Sequence, residues 1–307
     1  MNRFLRNILK NVYVGGFGVI NTFYYPLYSF LNKKCICKTK HLVDSLKGDK
    51  VLVLAPHVDD DMIGCGGAII NYLKNNKQIH IAYLTNGAKQ GSFENKDFII
   101  SERRQEAINV ANVLNINNNN LYFLNSEDGN LVNQAMSDEL FTIISNIKPD
   151  VIFLPVLLDS HLDHYAVTKK LYEVYEKYPN AFDGIELYLY EVQSPFTTNN
   201  SNVHLDISET LEQKKELLKQ YASQPSDFSF VGSLAKINGV CFGKKIYCEN
   251  YIYTSPSRYF KFYIKYFKDI NKYLQIKTKL VGHGHNGTLI RSYESSMKEK
   301  QILKELH

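Results

Sequence analysis

The chain has 307 residues, 44% hydrophobic and 22% charged, enough for one large globular domain or two small ones around a buried core. Its net charge of +5 is unevenly spread: residues 1–40 carry seven Lys/Arg and no acid, residues 255–307 carry eleven against four acids, and residues 41–254 are left at −9. An acidic body argues against a polyanion lying across it, so no nucleic-acid partner is expected, whereas basic ends suit anionic lipid.

Three regions follow in chain order: a basic, aromatic segment over 1–47, a domain over 48–254, and a basic, aromatic extension over 255–307. In the first, Val12 to Leu31 is an uncharged run of 20 residues, long enough to span a bilayer but diluted by Gly15, Gly16, Gly18, Asn21 and Pro26. The expectation is a segment packed on the domain or lying in a membrane interface; no small-residue cleavage site follows it, which argues against a signal peptide. Five cysteines, Cys35, Cys37, Cys65, Cys241 and Cys248, are odd in number and scattered. That disfavours a disulfide framework and fits reduced thiols in the cytoplasm.

From residue 50 short β-rich runs alternate with helical periodicity. Val51–Ala55 is a continuous apolar run of the kind that lies buried on both faces. Helices are expected over 64–74, 98–114, 131–147, 164–178 and 208–221, and further strands over 79–84, 121–124, 151–154 and 185–190. Strands separated by helices of this length imply right-handed crossovers, hence a three-layer, Rossmann-like α/β fold with a mostly parallel sheet. Ligands in such sheets bind beyond the carboxyl ends of the strands.

Two clusters stand at those positions. Pro56-His57-Val58-Asp59-Asp60-Asp61 follows the first strand, and Asp159-Ser160-His161-Leu162-Asp163-His164 follows the fourth. Taken singly, His57 reads as a satisfied histidine at a helix start and the aspartates as helix caps. Taken together, imidazoles and adjacent carboxylates suit zinc or another divalent first-row metal, because three neighbouring acids repel one another without a cation. Gly64, Gly66 and Gly67 read as close helix–strand packing, since a carboxylate triplet would repel phosphate.

At this point the sequence resembles the PIG-L/LmbE-like deacetylases, zinc enzymes that remove acetyl from N-acetylglucosamine-type substrates. The residues that carry the likeness are Ala55-Pro56-His57-Val58-Asp59-Asp60 with Gly64-Cys65-Gly66-Gly67, and His161-Leu162-Asp163-His164. Thr85-Asn86-Gly87, Arg103-Arg104-Gln105-Glu106, Asp128-Gly129-Asn130-Leu131, Asp206-Ile207-Ser208, Lys214 and Ser223-Gln224 follow in the family's order, so the likeness spans about residues 48–254. It implies that His57, Asp60 and His164 hold zinc, that Asp59 is the general base, that His161, when protonated, stabilises the oxyanion or protonates the amine, and that Asp163 orients a histidine. Arg103 or Arg104 and Asp128 become candidates for holding the substrate, beside the plainer readings of a helix-surface salt bridge and a turn cap. Three departures stand out: Val58 and Leu162 replace the usual prolines, and Asp61 is one methylene shorter than the usual glutamate. The implied activity is zinc-dependent N-deacetylation of an N-acetylated sugar or glycoconjugate. A catalytically silent sugar-binding module and a metal-dependent hydrolase of another amide or ester are the alternatives.

In the extension, Arg258 to Leu274 reads as one helix. Lys261, Lys265, Lys268 and Lys272 share a face, opposite Tyr259, Tyr263, Tyr266 and Ile270. That pattern fits either an interfacial membrane helix or a helix docked on the domain. The membrane alternative would hold a cytoplasmic enzyme peripherally at the inner membrane surface. His283-Gly284-His285 reads as a plain loop, with no acidic or Cys partner nearby.

Overall fold

A computed structural model describes residues 40–88, 95–224, 228–243, 245–282 and 289–307. The 12–31 run, Cys35, Cys37 and His283–His285 lie outside the described residues.

The strands are β1 (Leu42–Val43), β2 (Lys50–Ala55), β3 (Gln78–Thr85), β4 (Leu121–Ser126), β5 (Val151–Pro155), β6 (Glu186–Tyr190), β7 (Val203–Asp206) and β8 (Cys248–Thr254). The helices are α1 (Asp60–Lys74), α2 (Lys96–Val113), α3 (Ser137–Ile147), α4 (Leu162–Lys177), α5 (Leu211–Leu218), α6 (Ser229–Gly239), α7 (Pro256–Tyr266), α8 (Ile270–Lys277) and α9 (Leu289–Glu299). One sheet runs in the order β1-β7-β8-β6-β5-β2-β3-β4. Its pairings are parallel except those of β8, which lies antiparallel to β6 and β7. Alternate residues of β2 feed two cores. Val51, Val53 and Ala55 pack with α1, α2, α5 and α6, whereas Leu52 and Leu54 pack with α3, α4 and α7. The three-layer, mostly parallel α/β expectation is met.

The chain runs from β2 outward to β3 and β4, then returns to place β5 on the other side of β2. The adjacent carboxyl ends of β2 and β5 are therefore the switch point where such sheets open a crevice. Asp150 ties the opposite ends of the two strands together, accepting from the backbone N–H of Asp49 and of Lys50 at 2.8 and 2.9 Å.

Several elements differ from the sequence expectation. The 131–147 helix is a short 3-10 turn, Leu131–Asn133, followed by α3. The 208–221 helix shrinks to α5 because Asp206 accepts from both the N–H and hydroxyl of Ser208, offering the backbone a turn instead. β8 went unseen because Glu249 and Asn250 interrupt its apolar pattern; both are buried and paired, with Lys214 and His204. The single helix over 258–274 is two, since Asp269 accepts from the Asn271 N–H at 3.0 Å and starts α8 afresh.

The face of α7 settles how that helix is used. Tyr259 and Tyr263 are buried, and Tyr263 packs on Tyr165 and Tyr172 of α4. Lys261, Lys265, Lys268 and Lys272 remain exposed. Lys265 pairs with Glu305 and Lys268 with Glu176 at 3.2 and 3.3 Å. The aromatic face is thus taken up by the domain. Among the described residues no helix is long and apolar enough to cross a membrane.

Candidate metal centre

β2 ends at Ala55, and the chain enters α1 through Asp59 at φ 118°, a backbone state that an aspartate adopts only under restraint. Two contacts restrain it, one local and one distant: Asp59 O accepts from Ile63 N at 2.8 Å, and Val58 O accepts from the Gln224 side chain at 2.7 Å. The result sends three adjacent carboxylates in three directions. Asp60 turns to the histidines. Asp61 accepts from the Tyr83 hydroxyl at 3.0 Å, keeps one buried oxygen without a partner, and is raised by burial to about 6. Asp59 lies in the field of the Arg103 guanidinium.

The two clusters converge. Asp60 Oδ2 lies 2.9 Å from His57 Nδ1 and 3.5 Å from His164 Nε2. The ring centres of His57 and His164 are 5.7 Å apart, and His161 lies 4.8 Å from the first and 5.1 Å from the second. The second nitrogen of His57 and of His164 is also turned to carboxylate. His57 Nε2 lies 3.3 Å from both Asp128 Oδ1 and Asp163 Oδ2, and His164 Nδ1 lies 3.4 Å from Asp159 Oδ1. Asp163 is itself pinned by the N–H groups of Gly129 and Leu131 at 2.7 and 3.2 Å.

This donor set fits zinc. Ligands about 2.1 Å from a tetrahedral ion stand about 3.4 Å from one another; the two spacings at Asp60 bracket that value, and among the described residues His57, His161 and His164, and likewise His57, Asp128, His161 and Asp163, offer ligand atoms within 4.8 Å of one another. Carboxylates behind metal-ligating histidines fix their tautomer and orientation. The electrostatics agree. Burial alone would strip the proton from both imidazoles, yet Asp60, Asp128 and Asp163 hold His57 well above its ordinary pKa, and Asp60 with Asp159 raises His164 to about 9. Burial would protonate Asp60 too, but His164 and His57 outweigh it and keep its pKa low. The carboxylates around Asp60 therefore favour positive charge at His57 and His164.

Asp59 and His161 are tuned oppositely. Burial and the Asp60 charge raise Asp59 well above an ordinary carboxylate, against the pull of His57 and Arg103, which makes it a stronger base. Burial and the nearby His57 and His164 lower His161 to about 3. The Asp163 N–H donates to His161 Nδ1 at 3.2 Å, so Nδ1 is an acceptor and the proton sits on Nε2. In that tautomer His161 has an Nε2–H to donate without being protonated.

Other expected residues separate. Arg103 is buried, with Nε unpartnered and its side chain pressed on Gly87, where a Cβ would come within 2.6 Å of Nη1. Arg104 is exposed and lies over the Phe123 ring at 4.5 Å, away from the carboxylates. Asp128 faces His57 and so belongs to the histidine cluster. Close packing accounts for the glycines: a Cβ at Gly64 would lie 2.1 Å from the Tyr190 ring, and one at Gly67 would lie 2.5 Å from Ile207.

α1 kinks at Cys65 (φ −140°, ψ 22°), which frees backbone groups inside a helix. Glu249 accepts from the N–H of Gly67 and of Ala68 at 2.7 and 2.9 Å, and Lys214 donates to the freed Ile63 carbonyl at 2.7 Å. The two side chains pair at 2.6 Å, both buried. Glu249 and Asp159 are site-building residues that the sequence reading left unassigned. Asp159 could have been found, standing two residues before His161; Glu249 follows no motif.

An α/β protein with a carboxylate–imidazole centre at the switch point of its sheet is the class that this geometry defines. Residues 52–175 match the model of the PIG-L family, described as GlcNAc-PI de-N-acetylase. Among solved structures it is similar to the N,N'-diacetylchitobiose deacetylase from Pyrococcus horikoshii, with 23% identity, TM-score 0.58, and coverage of 69% of this chain and 86% of that one. A conserved protein from Thermus thermophilus matches with 24% identity, TM-score 0.55, and coverage of 68% and 95%. GalB, a 4-carboxy-2-hydroxymuconate hydratase from Pseudomonas putida, matches with 18% identity, TM-score 0.53, and coverage of 67% and 97%. Likenesses at these identities show a shared fold, and that fold serves more than one reaction.

Proposed function

We propose that the protein is a zinc-dependent N-deacetylase of an N-acetylated sugar or glycoconjugate. The observation that carries this reading is the clustering of His57, His161 and His164, whose ligand atoms lie within 4.8 Å of one another, with Asp60 Oδ2 against His57 and His164. The PIG-L match over 52–175 and the likeness to a chitobiose deacetylase support the substrate class.

His57 Nδ1, Asp60 Oδ2 and His164 Nε2 would hold the ion, leaving part of its coordination sphere open. Zinc bound there supplies Lewis acidity toward the amide carbonyl and makes water a stronger acid. Asp59 takes the proton of the water that attacks the carbonyl carbon, and its raised pKa suits that task. The His161 Nε2–H donates to the carbonyl oxygen as negative charge develops there. Asp59 then returns its proton to the departing nitrogen, so that the C–N bond breaks to acetate and a free amine. Asp163 and Asp159 keep the two ligand histidines oriented. Arg103, buried beside Asp59 and Gly87, would hold a sugar hydroxyl or an anionic group of the substrate.

The lysine stripe of α7 and α8 stays in solvent while the aromatic face does not. Peripheral contact with anionic lipid at the inner face would therefore be electrostatic and salt-sensitive.

The test is metal analysis of the purified protein with acetate detection across a panel of N-acetylglucosamine conjugates. The expected result is one zinc per chain and acetate release that a chelator abolishes and zinc restores. Metal binding without acetate from any N-acetylated sugar would sink the reading.

A further inference from the structure

The loop from Asp159 to His161 belongs to no strand or helix, yet it sets two of the site's imidazoles. Asp159 Oδ1 faces His164 Nδ1 at 3.4 Å and accepts from the His161 backbone N–H at 3.1 Å. What holds this loop comes largely from the last fifty residues. The Tyr273 hydroxyl of α8 lies 3.0 Å from the carbonyl of Asp159 and 3.0 Å from that of His161. Its ring is fully buried and stacks on Tyr165, the residue after His164, with centroids 4.2 Å apart. Lys300, also fully buried, donates to the Ser194 carbonyl at 2.6 Å, and the Ser194 N–H donates to Asp159 Oδ2 at 3.1 Å. Gly282 approaches the loop so closely that a Cβ there would come within 2.8 Å of Ser160 Oγ.

We propose that Tyr273 is a positioning residue: its hydroxyl, placed between the carbonyls of Asp159 and His161, holds the loop that aims His161 and orients His164. The C-terminal segment is then a working part of the centre, although residues 256–307 lie beyond the family match. A buried hydroxyl suits this role because its one proton, shared between the two carbonyls, tethers both without adding charge beside the imidazoles. Tyr273 touches neither imidazole and acts through the backbone that carries them. The kinetic arm of the test rests on the deacetylase reading; the exchange arm does not.

The experiment compares full-length wild type, Tyr273→Phe and Tyr165→Phe. Phenylalanine at 273 keeps the stacked ring and removes only the hydroxyl. Tyr165→Phe is the control, losing an equally buried hydroxyl that donates to Phe267 O at 2.8 Å and not to the loop. Hydrogen exchange over residues 157–164 should speed up about tenfold or more in Tyr273→Phe and stay at the wild-type rate in Tyr165→Phe. Zinc affinity, read by chelator competition, should fall by about tenfold, and kcat for acetate release by about 10–100-fold with KM nearly unchanged. Wild-type exchange over 157–164 in Tyr273→Phe would overturn the proposal, as would the same loosening in Tyr165→Phe. If wild type releases no acetate, the deacetylase reading fails, and the exchange comparison still decides whether Tyr273 holds the loop.

Discussion

The β2–α1 wall and the β5–α4 wall bring the same donor types to one point, but they are braced differently. In the first, strain sits inside the element itself and a charged pair from β8 and α5 is brought against it. Asp59 is held at positive φ, α1 breaks at Cys65, and the buried Glu249–Lys214 pair takes up the groups that the break frees. In the second, α4 runs unbroken from its His161 cap, and the burden falls on the preceding loop, whose direct contacts are neutral donors, the Tyr273 hydroxyl and backbone N–H groups of Gln193 and Ser194, with the Lys300 ammonium one step behind on Ser194. The lesson is that one wall should fail through charge and the other through loss of a hydrogen bond. Removing one partner of a buried ion pair leaves an uncompensated charge, whereas removing a hydroxyl leaves carbonyls that water or relaxation can satisfy.

The largest effect expected is on turnover from the first wall. Asp59→Ala should lower kcat by about 10²–10⁴-fold while zinc content stays at the wild-type level, because Asp59 is not among the three donors. Steady-state acetate release with metal analysis reads both; loss of the metal together with activity would move Asp59 into the ligand set. Next comes Glu249→Gln, which strands the Lys214 ammonium and unseats the kink. It should cost about 3–5 kcal/mol in urea unfolding, and replacing Lys214 with Met in the same chain should recover part of that loss. A cost near that of an exposed pair such as Lys77–Asp49, under about 1 kcal/mol, would show that the kink does not depend on charge. Tyr273→Phe should cost less stability than Glu249→Gln and act mainly on the loop.

The smallest effect lies outside both walls. His204 of β7 is fully buried, with Nδ1 2.8 Å from Asn250 Oδ1 and Nε2 without a partner. Burial lowers its pKa to about 4. The folded state thus binds fewer protons than the unfolded chain between about pH 6.5 and 4, so the stability it contributes is present above that window and is lost as pH falls through it. Between pH 7.5 and 5.5 the loss from this residue should be about 1 kcal/mol. His204→Gln should reduce the acid sensitivity of urea unfolding by that amount; an unchanged slope would place the acid lability in the crevice instead.

How much of this was legible in the sequence can be judged residue by residue. The apolar β2 run, the two His/Asp clusters and their position after strands were readable because each is local. The sheet rule then required the clusters to meet, and they do. The choice between Arg103 and Arg104 was not readable, since adjacent helix positions point about 100° apart and only packing decides which faces the crevice. Neither was the break before Asp269, where a side-chain cap competes with continuing helix. The aromatic face of α7 carried the same pattern for a membrane and for a protein partner, and only the presence of α4 opposite it distinguishes them.

By itself the sequence determined the layer architecture and the two His/Asp stretches that meet beyond the strand ends, because periodicity and residue chemistry act over a few neighbours. Tertiary structure alone decided which nitrogen of His57 and His164 faces Asp60, that burial pushes the His161 pKa down, and that Glu249 meets the kink of α1 while Tyr273 and Lys300 reach the 159–161 loop and its neighbour Ser194. The physical reason is range. Tautomers, pKa values and buried hydrogen bonds depend on what lies a few ångströms away in space, and those groups come from residues about a hundred or more positions distant along the chain.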